Sequence, residues 1–352
     1  MIELLGGLVL LIAGAELMVR AAVRLAARLH VRPLIIGLTI VALGSSAPQM
    51  AVSLQAMLAQ NPDIAVGSVI GSSIFNILVT LGLSALIIPL RVSRQLVRLD
   101  IPLMIGASLL VCVLAWNEEL TRTDGVILLA ALVVYLGLLL RQSRHSARPP
   151  SSQETTPAPW FTSLLMIVAG LAMLVYAGHL LLGAAVSVAT DLGLSERVIG
   201  LTIVAISTSL PELATSLIAA LRGQREIAVG NVIGSNLFNL LGVLGFTALV
   251  APSPLSVSPN ALDFDLPVML GVAVLCLPVF YSGYRVTRAE GLLFLGLYLA
   301  YGLHVVSFTT GMPLAGKLEH LMLIFVLPAL VAFLLFTSLR AWRRQHHKRD
   351  VP

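Results

Sequence analysis

Charge is what this sequence has least of. Asp, Glu, Lys and Arg together make up 11% of its 352 residues, where a soluble domain carries about a quarter. So few charges cannot cover a water-facing surface, which excludes a soluble enzyme and a nucleic-acid-binding protein. Cysteine is nearly missing too. Cys112 and Cys276 sit in apolar stretches with no partner motif. That excludes a secreted disulfide scaffold and argues against a cysteine metal pair; both read as small buried hydrophobes. No phosphate-binding loop is present, so no nucleotide or other cofactor is expected. The first apolar stretch starts at Ile2 without a basic segment before it or an obvious cleavage site after it, and reads as a retained helix.

What is abundant is apolar length: 58% of the residues are hydrophobic. Apolar segments run near 2–27, 33–59, 64–90, 100–117, 124–141, 160–189, 197–221, 227–251, 265–281, 290–308 and 318–339. Most approach the roughly twenty residues needed to cross a bilayer. The expectation is an all-α membrane protein with about eleven crossings. One long polar break, 142–159, is rich in Pro and Ser and reads as a linker.

Cytoplasmic loops hold the excess of Lys and Arg. With the N-terminus outside, alternate loops hold Arg20, Arg24, Arg28 and Arg32, then Arg91, Arg94 and Arg98, then Arg141, Arg144 and Arg148. Arg222, Arg225, Arg285 and Arg288 follow, and the tail adds Arg340, Arg343, Arg344, Lys348 and Arg349. These are 19 of the 22 basic residues; only Arg122, Arg197 and Lys317 fall outside, with Glu118, Glu119 and Asp124. The expected topology is N-terminus outside and C-terminus cytoplasmic. The tail RAWRRQHHKR reads as a positive-inside anchor. With no targeting extension, a bacterial inner membrane is the expected location.

The chain also repeats itself. Residues 37–76 lie over residues 200–239 without a gap, with 23 of 40 positions identical at an offset of 163. Asp100-Ile-Pro102 matches Asp265-Leu-Pro267, and Thr121-Arg-Thr-Asp124 matches Thr287-Arg-Ala-Glu290. The unit is therefore about five helices. Five is odd, so the second copy begins on the opposite side and the copies are inverted, as in secondary transporters whose sites lie near the midplane. The expected organisation is a first repeat at 1–141, a linker at 142–159, a second repeat at 160–308, and an extra helix with a basic tail at 309–352.

Each copy places a polar, helix-breaking patch inside an apolar span: Gly44-Ser45-Ser46-Ala47-Pro48-Gln49 and Ser207-Thr208-Ser209-Leu210-Pro211-Glu212. Proline removes a donor and clashes with the carbonyl four residues back, so freed carbonyls near Ala42 and Ala205 are expected ligands. Ser45, Ser46, Thr208 and Ser209 add hydroxyl oxygens. The next helix of each copy carries Gly67, Gly71, Ser72 and Asn76, or Gly230, Gly234, Ser235 and Asn239. The paired glycines make smooth strips for close packing. Ser72 and Asn76 share a helix face, as do Ser235 and Asn239. An oxygen-rich pocket without aromatics suits hard cations such as Ca2+ and Na+. Glu212, deep in an apolar span, is the sharpest candidate, because an intramembrane carboxylate is expensive. Glu16 is expected to pair with Arg20 four residues on, and His179 takes the equivalent place in the second copy as a structural histidine. Asp100 and Asp265, each two residues before a proline, read as helix N-caps.

The second copy's STSLPE and GNVIGSNLFN, with GSSAPQ and GSVIGSSIFN in the first, resemble the alpha-repeats of the cation/calcium antiporter superfamily, which includes the sodium/calcium exchangers. The resemblance spans ten of the eleven helices. It implies two inverted five-helix repeats and exchange of Ca2+ for Na+, or for H+ in some branches. It also implies a cation shell drawn from Glu212, Gln49, Asn76, Asn239, Ser45, Ser46, Thr208, Ser209, Ser72 and Ser235, with the carbonyls of Ala42 and Ala205. The transported ions and the lipid bilayer are the expected partners, with no nucleic acid and no protein. The departure is Gln49: the family usually places Glu in both motifs, so this site holds one carboxylate where two are usual. Calcium affinity falls with ligand charge count. The alternatives are therefore a monovalent cation or proton antiporter, or a non-transporting cation-binding membrane protein.

Overall fold

A computed structural model describes residues 2–59, 61–145, 160–191, 205–281 and 283–310. These form ten apolar helices: α1 Leu4–Arg28, α2 Pro33–Leu58, α3 Pro62–Ile87, α4 Leu96–Asn117, α5 Arg122–Ser143, α6 Phe161–Ser187, α7 Leu210–Leu221, α8 Arg225–Val250, α9 Ala261–Tyr281 and α10 Arg288–Phe308. Nine are long and apolar enough to span a membrane; α7 is the shorter one. The linker residues 146–159, residues 197–204 of the seventh segment and the eleventh segment at 318–339 lie outside the described residues.

Two short ribbons fix how the halves relate. Leu90–Arg91 (β1) pairs antiparallel with Arg285–Val286 (β4), and Glu119–Leu120 (β2) with Leu255–Ser256 (β3). Helix α4 runs from β1 to β2, so the two ribbons sit at its opposite ends. β3 follows α8 as β1 follows α3, yet β1 and β3 belong to different ribbons. Equivalent loops of the two copies thus lie at opposite faces, and the copies are inverted.

Packing separates a centre from a rim. In α8, 89% of the residues of its apolar window are buried, and in α3 78%, against 22% in α5, α6 and α10. Val113, Val133, Val134, Leu165, Leu292 and Leu299 are exposed apolar side chains on the outer helices, which fits a surface facing lipid tails. In lipid no hydrophobic force drives helices together, so close packing has to come from small residues. Glycines meet at the crossings. A Cβ on Gly125 of α5 would come within 2.7 Å of the Gly245 carbonyl on α8, and one on Gly291 of α10 within 2.6 Å of the Gly82 carbonyl on α3. α1 crosses α6 at Gly14 and Gly170, where a Cβ on either would sit 2.9 Å from the other's carbonyl. Each copy's last helix therefore packs on the other copy's second motif helix.

The helix starts correct one expectation. Asp100 and Asp265 are not N-caps: Asp100 makes no side-chain cap bond. The helices begin earlier, where Ser93 Oγ accepts the Leu96 N–H at 3.2 Å and Ser258 Oγ accepts the Ala261 N–H at 3.3 Å. Both aspartates instead end a π-helical turn, Leu96–Asp100 and Ala261–Asp265. Pro102 and Pro267 follow directly in the continuing helices Ile101–Leu114 and Leu266–Tyr281, where the π-helical turn before each already interrupts the α-helical bonding that a proline cannot join. Thr121 with Asp124, and Thr287 with Glu290, form reciprocal caps at the starts of α5 and α10.

Candidate cation site

The two breaks are alike. After Ala42–Ser45 the backbone leaves the helix at Ser46 (φ −80°, ψ −5°) and resumes at Ala47. After Ala205–Thr208 it does so at Ser209 (φ −96°, ψ 0°) and resumes at Leu210. Each proline lies in the first turn of the resumed helix, where its missing N–H has no intrahelical partner to lose. This overturns the expectation of a freed carbonyl at Ala42. That oxygen already accepts the Ser46 N–H at 3.0 Å and the Ser45 hydroxyl at 3.3 Å. Ala205 opens the second described turn.

The breaks set Gln49 and Glu212 in the first turns of the resumed helices. A helix N-terminus favours negative charge, which suits Glu212. Both side chains are buried, and so are Ser45, Ser46, Ser72, Asn76, Thr208, Ser209, Ser235 and Asn239. Asn76 and Asn239 lie in matching π-helical turns, Asn76–Leu81 and Phe238–Val243. Such turns are rare and often mark functional sites.

Hydrogen bonds bring the motifs of the two copies together. Asn239 Nδ2 donates to Ser72 Oγ at 2.9 Å, and Asn76 Nδ2 donates to Asn236 Oδ1 at 3.1 Å. Ser45 Oγ lies 3.2 Å from Ser235 Oγ and donates to Asn231 Oδ1 at 3.1 Å. Ser46 Oγ reaches Glu212 Oε1 at 3.5 Å. Gln49 Nε2 donates to Ser68 Oγ at 2.6 Å within the first copy.

These bonds use the donors and strand the acceptors. Gln49 Oε1, Asn76 Oδ1, Glu212 Oε2 and Asn239 Oδ1 are buried and have no hydrogen-bond partner. They come one from each motif helix, α2, α3, α7 and α8. Leaving a buried polar atom unpaired costs about 1–3 kcal/mol, more for a charged group. Glu212 makes none of the ion pairs among the described residues, which join Glu16 to Arg20 and Arg222, and Arg32 to Glu226. Acceptor oxygens without donors suit a metal cation, and a proton would satisfy Glu212 alone. No cluster of three or more His, Cys, Asp or Glu occurs among the described residues. A cation here would therefore be held by one carboxylate and neutral oxygens.

Three side chains that the sequence reading passed over carry much of this geometry: Ser68, Asn231 and Asn236. Asn231 Nδ2 lies within reach of the Glu212 carbonyl, Thr215 Oγ1 and Ser216 Oγ, at 3.3, 3.0 and 2.9 Å. It ties α8 to α7. Its spacing of four from Ser235 and eight from Asn239 was the available signal, since all three share one face. The glycine strip of α8 packs as expected: a Cβ on Gly230 would sit 3.0 Å from the Leu34 carbonyl, and one on Gly234 2.7 Å from the Leu38 carbonyl. The second copy's counterparts of Leu34 and Leu38, at 197 and 201, lie outside the described residues, and Gly67 of the first copy has nothing within 4 Å among the described residues. Glu16 binds Arg20 as expected, and also Arg222, with its Oε2 accepting at 3.1 Å. His179 is exposed.

Residues 1–141 and 162–307 match the model of the sodium/calcium exchanger protein family. The chain belongs to that family. It is a cation antiporter by this membership, in a family of exchangers rather than enzymes. Among its relatives, the chain is 38% identical over 309 residues to a putative antiporter, CaxA, of Alkalimonas amylolytica, covering 85% of this chain and 96% of the relative. It is 36% identical over 280 residues to the inner membrane protein YrbG of Escherichia coli, covering 77% and 86%. Its fold is similar to that of the sodium-calcium exchanger NCX_Mj soaked with 10 mM Na+ and no Ca2+, with a TM-score of 0.74, 31% identity, and 87% and 97% of the two chains covered.

Proposed function

We propose that this member of the exchanger family exchanges Ca2+ for Na+ by alternating access, with Glu212 as the single charged ligand. The carrying observation is the set of four buried, unpartnered acceptor oxygens on Gln49, Asn76, Glu212 and Asn239. Acceptors without donors call for a cation. Hydroxyls of Ser45, Ser46, Ser72, Thr208, Ser209 and Ser235 stand beside them as further ligands, with the Ala205 carbonyl. Each inverted repeat, 1–141 and 160–308, supplies half of the shell. The N-terminus lies outside and the protein sits in an inner membrane. The placement of 19 of 22 basic residues supports that orientation, and the inner membrane protein of Escherichia coli supports the location.

Gln49 favours a second reading, in which the exchanged ions are monovalent. A unit charge at 4 Å attracts another by about 4 kcal/mol at an effective dielectric near 20, and a divalent ion by twice that. Losing one carboxylate therefore weakens Ca2+ more than Na+. The test is ion exchange by Glu212→Gln in proteoliposomes. Loss of Na+-driven Ca2+ flux in a folded variant supports the proposal, and unchanged flux rejects it. Na+ flux that Ca2+ neither drives nor competes with supports the monovalent reading.

A further inference from the structure

An amide, unlike a carboxylate, has two different ends, and only one of them can face a cation. Gln49 would place its NH2 against the ion as readily as its oxygen unless a neighbour chose between them. Ser68, one helix away on α3, is that neighbour. Its oxygen takes the Gln49 Nε2 hydrogen at 2.6 Å, while its own hydrogen points to the Ala65 carbonyl at 3.3 Å. With its hydrogen turned away, Ser68 meets Gln49 as an acceptor and has no hydrogen left for Oε1. The amide nitrogen is held on Ser68, and Oε1 is left buried without a partner.

The second copy shows the contrast. Asn231 occupies the place of Ser68, and Glu212 the place of Gln49, at the same offset of 163. Asn231 turns to the Glu212 main-chain carbonyl, Thr215 and Ser216. A carboxylate presents oxygen either way, so its neighbour is free to tie helices together. An amide needs an acceptor behind it. The two copies therefore differ as matched pairs, Gln49 with Ser68 and Glu212 with Asn231.

We infer that Ser68 is a positioning residue of the cation site: it holds the Gln49 amide by its nitrogen and so presents the oxygen to the transported ion. The inference rests on the reading of Gln49 as a ligand given above.

The test is a double-mutant cycle between positions 49 and 68 on the full-length chain, read as the half-saturating Na+ concentration for thermal stabilisation in detergent. Ca2+ serves as a second probe. Ser68→Ala is expected to raise that concentration about tenfold, the worth of one net hydrogen bond, and Ser68→Thr, which keeps the acceptor, to restore it to within about twofold. In the Gln49→Glu background the same Ser68→Ala change is expected to cost about twofold or less, because a carboxylate has no end to choose. Equal losses in both backgrounds show a role in packing alone and overturn the inference. Where Ser68→Ala does not fold, Ser68→Cys replaces it, with a weaker acceptor of similar size and an intermediate loss. If Ser68→Ala binds like the parent while Glu212→Gln abolishes binding, the Ser68 assignment falls and the cation site stands. If neither Na+ nor Ca2+ stabilises the parent chain, both fall.

Discussion

Asn239 gives its amide hydrogen to Ser72 across the interface between the two halves, at 2.9 Å, and its carbonyl oxygen is left without a donor. Asn76 does the same from the other half through Asn236. An amide whose nitrogen is fixed on a neighbour presents a fixed oxygen on its other side. Two of the four stranded oxygens are therefore aimed by bonds that exist only when both halves are assembled. Asn239→Ala removes one such oxygen. The expected result is a rise of about tenfold or more in the Ca2+ concentration for half-maximal exchange, measured as initial flux in proteoliposomes.

Gln49→Glu restores a second carboxylate. It adds about twice the attraction for Ca2+ that it adds for Na+. The ratio of half-saturating Ca2+ to half-saturating Na+ is expected to fall at least tenfold. Without cations the added carboxylate is a second buried, unpaired charge, so the ion-free variant is expected to melt lower than the parent and to regain the difference in Ca2+.

Glu212→Gln removes the one carboxylate among the four stranded oxygens. Replacing a buried, unpaired charge by a neutral group of the same shape is neutral or stabilising. The ion-free variant is therefore expected to melt at or above the parent, while cation-dependent stabilisation is lost. A variant that melts lower and still responds to Ca2+ contradicts a ligand role.

Gly234 lies against the Ala42 side chain and the Leu38 carbonyl, each 2.7 Å from where its Cβ would be. Gly234→Ala is expected to cost about 1–3 kcal/mol through overpacking and to lower the melting temperature. Gly106 has nothing within 4 Å among the described residues, so Gly106→Ala is the neutral control.

Much of this was readable from the residues alone. The forty-residue blocks showed the repeat, the odd helix count showed its inversion, and the β1–β4 and β2–β3 ribbons agree. Spacing and chemistry in the sequence point to Glu212, Asn76 and Asn239, and the family resemblance adds Gln49. What could not be read was rotation of one helix against another. Ser68 and Asn236 look like the small polar residues that line many helix contacts, and only the neighbouring helix shows which groups they hold. The Ala42 carbonyl was misread because the break falls at Ser46, with Pro48 already in the next helix's first turn. Asp100 was misread as a cap because the helix starts at Ser93 through a π-helical turn that leaves no periodic signal.

The proposed exchange runs through a site of one buried carboxylate and three amide oxygens. It is tested most directly by 45Ca2+ uptake into Na+-loaded proteoliposomes against Na+-free controls. Uptake is expected to require the outward Na+ gradient and to be absent in Glu212→Gln. Uptake of the same size without Na+, or in the variant, contradicts it.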